Sequence, residues 1–425
     1  MAKIVTKQKK ILVISHLAFN DSNNVGKTLY SLFYDYNKDN IIQLFFNPLS
    51  PNVDKCSSSY LITDEEMIKS LYGKRAGSIY EYFESEGIST KSSYVNNNKK
   101  STYFLFFRDV LWKFGRINYP SLFSWIKDFT PDVIFLAPGY SSFSYRIALK
   151  ISKHFSLPIV TFVMDDFYNE KKSNSIVERF REKWLKNSIK KTLLQSSKIF
   201  ACSQEMASDY EKEFGKNIDV LYTPILDYHI TTKKWKKSKV NNYLFAGNLN
   251  LNRYEILYKI GTYLGEKYSD SKLYVYAPTE FKNEIETLSS LNNVEYGGFI
   301  SADELNRKIT ESDVVLHVEA FDELSALRTR YSISTKIPMC MSSGKIFFAV
   351  GPKMQSGINY LKKTNSAIVS TSLEEMNSNI DYIQSPEFNY QEIYSNAIKT
   401  VEANHSCISS YNRLVSAFNS VCASE

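Results

Sequence analysis

The 425-residue chain has few cysteines, and their spacing argues against two common kinds of site. The five cysteines are odd in number, scattered and never arranged as C-x-x-C; they are Cys56, Cys202, Cys340, Cys407 and Cys422. Small secreted folds use paired cysteines, and structural zinc sites use closely spaced ones. The sequence therefore favours a reducing compartment, and we predict a cytoplasmic protein, at the inner face of the membrane if it contacts one.

Long apolar runs are also missing from the sequence. No window approaches the ~20 apolar residues that a membrane-spanning helix requires. The first ten residues, M-A-K-I-V-T-K-Q-K-K, precede an apolar run of only five residues, which is too short for a signal peptide. The sequence thus predicts a soluble or at most peripheral protein.

Glycine-rich phosphate motifs do not occur either. A single glycine, Gly26, follows the first predicted strand, and neither G-x-G-x-x-G nor G-x-x-x-x-G-K-[ST] is present. Because those motifs bring backbone amides against a phosphate, their absence argues against a dehydrogenase or a P-loop enzyme. The net charge of +7 is distributed along the chain without a nucleic-acid motif, so we predict no nucleic-acid partner.

The composition is that of a folded protein with large cores. Hydrophobic residues make up 43% of the chain and aromatic residues 14%, with 30 tyrosines and 27 phenylalanines. The length suits two domains. From about residue 132 onward, short apolar segments alternate with amphipathic ones, a pattern that is typical of doubly wound parallel sheets. The polar, basic stretch near residues 231–242 is interpreted as a linker between two α/β halves.

Polar residues follow the predicted strands, where ligands of parallel sheets bind. In the first half these residues include His16 and the pair Asp165–Asp166; in the second half they include Gly247–Asn248 and His317 with Glu319. Two such edges facing each other would form a cleft between domains. His16 is alternatively a hydrogen-bonded loop residue, and the aspartates alternatively cap the next helix. Adjacent aspartates also occur in metal sites, but no third ligand is evident, so we predict no metal ion.

The segment from Tyr331 to Pro352 combines features of an anion site. Ser332, Ser334 and Thr335 are good helix N-cap residues, and Lys336 adds a positive charge where freed backbone amides would meet a phosphate. Gly344 is expected to end this helix, and residues 346–350 are expected to form a buried strand. The alternative is a short core helix with a solvated lysine.

Four stretches in consecutive order carry a resemblance to a known family. They read K-I-F-A-C-S-Q-E-M-A-S-D-Y-E-K-E-F-G, F-A-G-N-L-N-L-N-R-Y, N-N-V-E-Y-G-G-F-I and Y-S-I-S-T-K-I-P-M-C-M-S-S-G-K-I-F-F-A-V-G-P. With V-M-D-D-F-Y before them, they resemble the GT-B-fold glycosyltransferases with which bacteria build surface polysaccharides. The resemblance covers residues 132–361 and implies an α/β protein of two Rossmann-like, doubly wound domains.

The resemblance implies roles for individual residues. Arg253 and Lys336 would neutralise the donor diphosphate, with the amides of Ser334 and Thr335 also donating to it. Phe299 and Ile300 would line the base pocket, and Glu319 would lie near the donor sugar. The catalytic candidates are His16, Asp165, Asp166 and Glu319; the donor-binding set adds Gly247 and Asn248, and the Gly26 loop would face the ligands from the first domain.

Three departures from the family pattern stand out. Met339 occupies the position, three after the lysine, where an acidic residue often holds the ribose. Asn248 replaces the basic residue often found directly after the loop glycine. Leu327 stands where a Glu-x7-Glu spacing would place a second glutamate. The identity of the nucleotide therefore stays open at this point.

The sequence predicts a glycosyltransferase that moves a sugar from a nucleotide-sugar, chiefly a UDP-sugar, to a glycan or lipid-linked glycan without metal or cofactor. We expect an acceptor-side amino-terminal domain over 1–230, a donor domain over 241–400 and a final helix over 401–425 that packs back on the first domain. Two rivals remain: a UDP-sugar epimerase of the same architecture and a non-catalytic binding subunit. The aromatic, basic helix near residues 101–116 either packs in the core or touches a membrane.

Overall fold

Strands without polar interruptions form the centre of each of two sheets. The computed structural model describes residues 7–21, 24–48, 51, 53–80, 102–169, 175–226 and 239–423. The chain divides into two compact units, residues 2–221 with 410–425, and residues 222–409. The predicted linker falls largely on residues 227–238, which lie outside the described residues, as does the turn-rich segment 92–100.

The first unit contains an eight-stranded sheet. Its strands are β1 (Ile11–Ser15), β2 (Ile41–Phe45), β3 (Ser58–Leu61), β4 (Ser78–Tyr80), β5 (Val133–Ala137), β6 (Ile159–Val163), β7 (Lys198–Ala201) and β8 (Ile218–Val220). Their order is β4-β3-β2-β1-β5-β6-β7-β8, and every pairing is parallel except β3 with β4. All residues of β1, β5 and β6 are buried, as expected for strands covered by helices on both faces.

Helices connect these strands. They are α1 (Asn24–Leu32), α2 (Asp64–Ser70), α3 (Thr102–Phe114), α4 (Tyr119–Phe129), α5 (Ser142–Phe155), α6 (Ile176–Gln195) and α7 (Gln204–Phe214), with a 3₁₀ turn at Lys38–Asn40. Thr63 and Glu66 form a reciprocal capping box at the start of α2, which the sequence predicted as a capped helix.

The second unit contains a six-stranded, fully parallel sheet. Its strands are β9 (Asn242–Ala246), β10 (Lys272–Tyr276), β11 (Val294–Gly298), β12 (Val314–Val318), β13 (Ile346–Val350) and β14 (Ile368–Ser370). Their order is β11-β10-β9-β12-β13-β14, so the chain reverses direction across the sheet between β9 and β12. Ligands of doubly wound sheets bind at such a switch point, beyond the carboxyl ends of the strands.

The helices of the second unit lie between these strands and after them. They are α8 (Arg253–Lys267), α9 (Lys282–Ser289), α10 (Ala302–Glu311), α11 (Glu323–Arg328), α12 (Lys336–Ser342), α13 (Ser356–Thr364), α14 (Leu373–Gln384) and α15 (Gln391–Thr400), with a π-helical turn at Val401–His405. The last helix, α16 (Cys407–Ala423), belongs mostly to the first unit. Its Phe418 is fully buried against Phe33 and Phe135.

The structure confirms the doubly wound α/β prediction and adds elements that the sequence did not reveal. The sequence of residues 47–119 is hard to interpret and predicts only a capped helix near residues 64–72 and the aromatic helix near 101–116, yet this region also supplies β3 and the short edge strand β4. Helices α4 and α9 were also not predicted. Pro120 lies in the first turn of α4, where a proline is tolerated because that amide has no helical partner.

Candidate donor-phosphate site

The second unit brings its predicted polar residues to one edge of the sheet. Gly247 follows β9, Glu319 follows β12 and Gly351 follows β13, and β9, β12 and β13 are neighbours in the sheet. Arg253 begins α8 and Lys336 begins α12, two helices that start at the same edge. The carboxyl ends of three adjacent strands therefore meet two basic side chains.

Arg253 and Glu319 form a two-pronged ion pair. The arginine Nη2 lies 2.9 Å from both carboxylate oxygens of Glu319, and its Nε lies 3.1 Å from Oε2. The Glu319 side chain is 8% exposed and that of Arg253 17% exposed. Such bidentate pairs are short and directional, so the guanidinium is held in one orientation. Asn248 accepts a further hydrogen bond from Arg253 Nη1 at 2.7 Å.

Lys336 points toward the loop after β9. Its Nζ donates to the carbonyl oxygen of Ala246 at 2.7 Å, and it lies 3.1 Å from where a Cβ on Gly247 would stand. Burial lowers the pKa of the Lys336 ammonium, and the positive charge of Arg253 lowers it further. The lysine is therefore a partly buried cation close to a second cation.

His317 is a third polar group at this edge. It lies in β12 two residues before Glu319, so both side chains are on the same face of the strand. Its Nε2 is 3.5 Å from Glu319 Oε1. Burial lowers the pKa of His317 to about 4, with the charges of Arg253 and Lys336 acting in the same direction and Glu319 against it. The imidazole is therefore neutral near pH 7.

The charges of these four groups do not cancel. Arg253 and Lys336 are positive, Glu319 is negative and His317 is neutral, so the cluster carries a net charge of about +1 at pH 7. An anion bound here would offset the repulsion between the two cations. The arrangement suits a phosphate or diphosphate group.

Two glycines let the backbone approach these side chains closely. A Cβ on Gly247 would lie 2.9 Å from the ring of Phe245 as well as 3.1 Å from Lys336 Nζ. A Cβ on Gly351 would lie 2.9 Å from the Cβ of Glu319. A side chain at Gly247 would crowd Phe245 and Lys336, and one at Gly351 would crowd Glu319, so both strand ends favour glycine.

The other predicted donor residues lie around the same loops. Phe299 follows β11 and is 72% exposed, while Ile300 packs partly buried against the core. Lys336 N donates to Ser334 Oγ at 3.3 Å, whereas the Thr335 side chain does not cap α12. The expectation that Thr335 caps this helix through its hydroxyl is therefore wrong, because its backbone is already helical. The amide contacts of Ser334 and Thr335 with a diphosphate stay a prediction.

The first unit gathers its own candidates at the carboxyl edge of its sheet. His16 follows β1, and a Cβ on Gly139, in the loop after β5, would lie 3.3 Å from the His16 Cβ. Asp165 and Asp166 follow β6, the next strand in the sheet. Their catalytic roles stay predictions.

Asp166 and Gly26 also have structural tasks. The Asp166 carboxylate accepts hydrogen bonds from Tyr210 at 2.7 Å and from the Asn169 amide at 3.0 Å, so it caps a turn. A Cβ on Gly26 would lie 1.8 Å from the Asn20 side chain and 2.4 Å from the Ala18 carbonyl oxygen. Only glycine allows α1 to approach the loop after β1 this closely.

Sequence reasoning placed His317 beside Glu319 at a strand end but gave it no role in the site. The available signal was its place two residues before Glu319 in a predicted strand, which puts both side chains on one face. Within the described ranges, no group of three His, Cys, Asp or Glu residues is arranged to hold a metal ion. Metal independence of the reaction stays a prediction.

Comparison with known proteins shows which families and structures this chain is similar to. Residues 83–225 match the model of Glycosyltransferase Family 4. No curated protein sequence matches the chain. Among solved structures, HepE from Anabaena in complex with UDP is 13% identical and superposes with a TM-score of 0.63, covering 97% of this chain and 100% of its own. The chain is thus similar to Glycosyltransferase Family 4 over part of its first unit, and its fold is GT-B.

Two further structures support the fold of this glycosyltransferase. The lipopolysaccharide outer core galactosyltransferase WaaB is 14% identical, with a TM-score of 0.60 over 96% of this chain and 99% of its own. A glycosyltransferase from Rickettsia africae is 13% identical, with a TM-score of 0.61 over 99% and 100%. The predicted class, a glycosyltransferase of two Rossmann-like domains, is confirmed. No helix among the described residues is long and apolar enough to span a membrane.

Proposed function

We propose that this glycosyltransferase moves a sugar from a UDP-sugar to a glycan or lipid-linked glycan, without a metal ion, during synthesis of a surface polysaccharide. Solved proteins of the same fold support the choice of donor and acceptor class. HepE has been seen with UDP and with UDP-glucose, and WaaB is a galactosyltransferase of the lipopolysaccharide outer core. An acceptor anchored in lipid would bring the enzyme to the membrane surface.

The arrangement of Arg253, Lys336 and Glu319 carries the proposal. Breaking the bond between sugar and diphosphate leaves negative charge on the leaving group. Two fixed cations stabilise that charge in the transition state without reorganising, which is the usual way a protein replaces a metal there. Glu319 holds Arg253 in place through both carboxylate oxygens and lies beside the position proposed for the donor sugar.

Two stereochemical courses are compatible with these residues. In an inverting reaction, His16, Asp165 or Asp166 would take the proton from the acceptor hydroxyl as general base. Asp166 already accepts hydrogen bonds in a turn, so His16 and Asp165 are the better candidates. In a retaining reaction, the leaving phosphate would assist the acceptor, and no strong protein base is required.

Nucleotide binding tests the donor site first. We expect UDP, but not GDP, CMP, ADP or dTDP, to raise the melting temperature of the wild type, and Lys336→Ala to abolish the shift. Lys345→Ala is the matched control, because Lys345 is also half-buried and donates from Nζ to a backbone carbonyl oxygen, that of Thr310 at 2.7 Å. In turnover assays, Lys336→Ala and Arg253→Ala should each lose more than ~100-fold.

The same experiments separate the rival functions. A shift by none of the nucleotides would contradict the donor site and favour a non-catalytic subunit. Near-normal turnover in both Lys336→Ala and Arg253→Ala would remove the roles assigned to these cations. Product formed from a UDP-sugar without any acceptor would indicate an epimerase.

A further inference from the structure

Three neighbouring helices of the first unit expose an unusual number of apolar side chains. Nine of the seventeen large apolar side chains that the described residues expose lie on α2, α3 and α6 or in the two residues after α2, and they are 45–85% exposed. They are Ile68, Leu71, Tyr72, Phe104, Phe107, Phe114, Ile176, Phe180 and Leu194. Clusters of this kind on a folded protein mark an interaction surface more often than chance exposure.

Helices α3 and α6 lie side by side and run in the same direction. Three contacts between them follow the same order along both helices. The rings of Phe106 and Phe180 are 6.3 Å apart, Arg181 and Asp109 form an ion pair at 2.8 Å, and Lys113 Nζ lies 4.9 Å above the Trp184 ring. The Arg181–Asp109 pair is almost fully buried beneath them, with both side chains 4% exposed. The two helices therefore present one continuous outer face.

Helix α2 packs against the end of α3. The Arg116 amide donates to Ser70 Oγ at 2.9 Å, and a Cβ on Gly115 would lie 2.4 Å from the Met67 side chain. Leu71 and Tyr72 directly follow α2, at the end that meets α3. Their exposed side chains add to the apolar surface.

The exposed apolar residues follow helical spacing on the side opposite the core. On α3, Phe107 and Phe114 are 66% and 67% exposed, whereas Asp109 and Trp112 face inward and are buried. On α6, Ile176 and Phe180 are four residues apart and are 82% and 61% exposed. Because the inward faces are already packed, the outer apolar residues are not needed for the core of the unit.

Positive charge surrounds these apolar residues. Helices α3 and α6 together carry eight Lys or Arg and three Asp or Glu, a net of +5, out of +7 for the whole chain. Lys113 and Lys183 are exposed on α3 and α6. Most of the net positive charge of the chain therefore lies on α3 and α6.

We propose that this aromatic–basic surface, defined by Phe107, Phe114, Ile176 and Phe180 with Lys113 and Lys183, docks on an anionic lipid bilayer. Interfacial helices combine bulky apolar residues that enter the headgroup region with lysines and arginines that meet lipid phosphates. A second copy of the chain is the poorer occupant, because two surfaces of the same positive charge repel each other. The inference deepens the proposed function, on which it rests for its purpose, by naming the partner that presents a lipid-linked acceptor.

Vesicle co-sedimentation tests the surface directly. The full chain is mixed at low salt with vesicles of phosphatidylethanolamine and phosphatidylglycerol at a 3:1 ratio, or with vesicles of phosphatidylcholine alone. We expect the wild type to pellet with the anionic vesicles only. The triple variant Phe107→Ser/Ile176→Ser/Phe180→Ser should bind about tenfold more weakly or worse, and Lys113→Glu/Lys183→Glu should lose the preference for anionic vesicles.

Matched variants control for apolar content and for net charge. Leu324→Ser/Leu327→Ser/Leu373→Ser removes three exposed apolar side chains from the second unit, and Lys282→Glu/Lys399→Glu reverses two exposed lysines there. Both should pellet like the wild type. The melting temperature of the Phe107 triple variant without ligand distinguishes loss of lipid binding from misfolding, and its UDP-induced melting shift distinguishes it from failure of the donor site.

Three results would overturn the inference. One is a wild type that stays in the supernatant with anionic vesicles at low salt. Another is a Phe107 triple variant that binds as the wild type does. The third is concentration-dependent dimerisation of the wild type in light scattering, abolished in the triple variant, which would make this surface an interface between copies instead.

Discussion

A neutral histidine beside two cations is the most pH-sensitive part of the candidate site. Burial lowers the pKa of His317 to about 4, against about 6.5 in an unfolded chain. Between about pH 6.5 and 4 the unfolded state therefore binds a proton at His317 that the folded state does not bind. Above pH 6.5 this histidine adds no pH dependence, and below about pH 4 both states are protonated.

The folded state should thus lose stability between pH 6.5 and 4, approaching about 3 kcal/mol from this residue alone. His317→Gln should make this part of the pH dependence disappear. Urea unfolding of both proteins at pH 7.0, 5.5 and 4.5 measures the difference, and His154→Gln shows what removal of an exposed histidine does. Parallel curves for wild type and His317→Gln would mean that the folded protein protonates His317 readily.

A bound anion should favour the charged form of Lys336, which the free protein disfavours. Arg253 and burial destabilise its charged form in the free protein, and a bound diphosphate would stabilise that form. Donor affinity should therefore be strongest where Lys336 is protonated. The residue that the sequence marks as a phosphate ligand is thus kept in an unfavourable environment that its ligand relieves.

At the scale of single elements, α8 shows how closely a helix is fitted to its sheet. Gly261 lies in the buried face of this helix, and a Cβ there would stand 2.8 Å from Val294 and 3.0 Å from Leu291. Gly265, one turn later, is exposed, and a Cβ there would stand 3.1 Å from the end of the Asn293 side chain. The two glycines therefore differ in their neighbours: Gly261 faces apolar side chains of the core, and Gly265 faces the end of one polar side chain.

Gly261→Ala should destabilise the protein by about 1–3 kcal/mol, because the apolar neighbours of α8 cannot move aside without disturbing the core. Gly265→Ala is the matched control: it crowds only the end of the Asn293 side chain, whose Nδ2 donates to the Gly261 carbonyl oxygen at 2.8 Å, and alanine favours the helix by up to about 1 kcal/mol, so the net effect should be smaller. Thermal and urea unfolding of both variants measure the contrast. Equal effects at the two positions would contradict this account of the packing of α8.

At the scale of the whole molecule, the chain returns to its first unit at the end. Helix α16 places Phe418 against Phe33, Phe135 and Tyr36, with ring centres 6.1–6.5 Å apart. Arg413 donates to the carbonyl oxygen of Val220 at 2.9 Å. The first unit is therefore completed by a segment that follows the second unit in the chain.

Phe418→Ala should cost about 3–5 kcal/mol of stability, the usual loss for a buried phenylalanine. The second unit does not contain Phe418, so the UDP-induced melting shift should persist at temperatures where the variant is folded. Urea unfolding measures the loss, with the exposed Phe107 replaced by alanine as control. A Phe418→Ala protein as stable as the Phe107→Ala protein would show that α16 contributes little to the first unit.

Local patterns in the sequence determined much of the fold. Strand β13 was predicted to the residue, because a strand buried on both faces appears as an uninterrupted apolar run. The left-handed backbone of Gly344 ends the region of α12 as its sequence position indicated. These features depend on neighbours a few residues away, and such neighbours are visible in one sequence.

Only the tertiary structure decided how distant residues combine. Arg253 and Glu319 are 66 residues apart, and the sequence assigned them to different parts of a donor without pairing them. The sequence likewise showed an aromatic, basic helix near residues 101–116 but not that this helix lies beside the basic helix α6. Strand order and helix packing determine such combinations, because two side chains meet only when the elements that carry them are placed together.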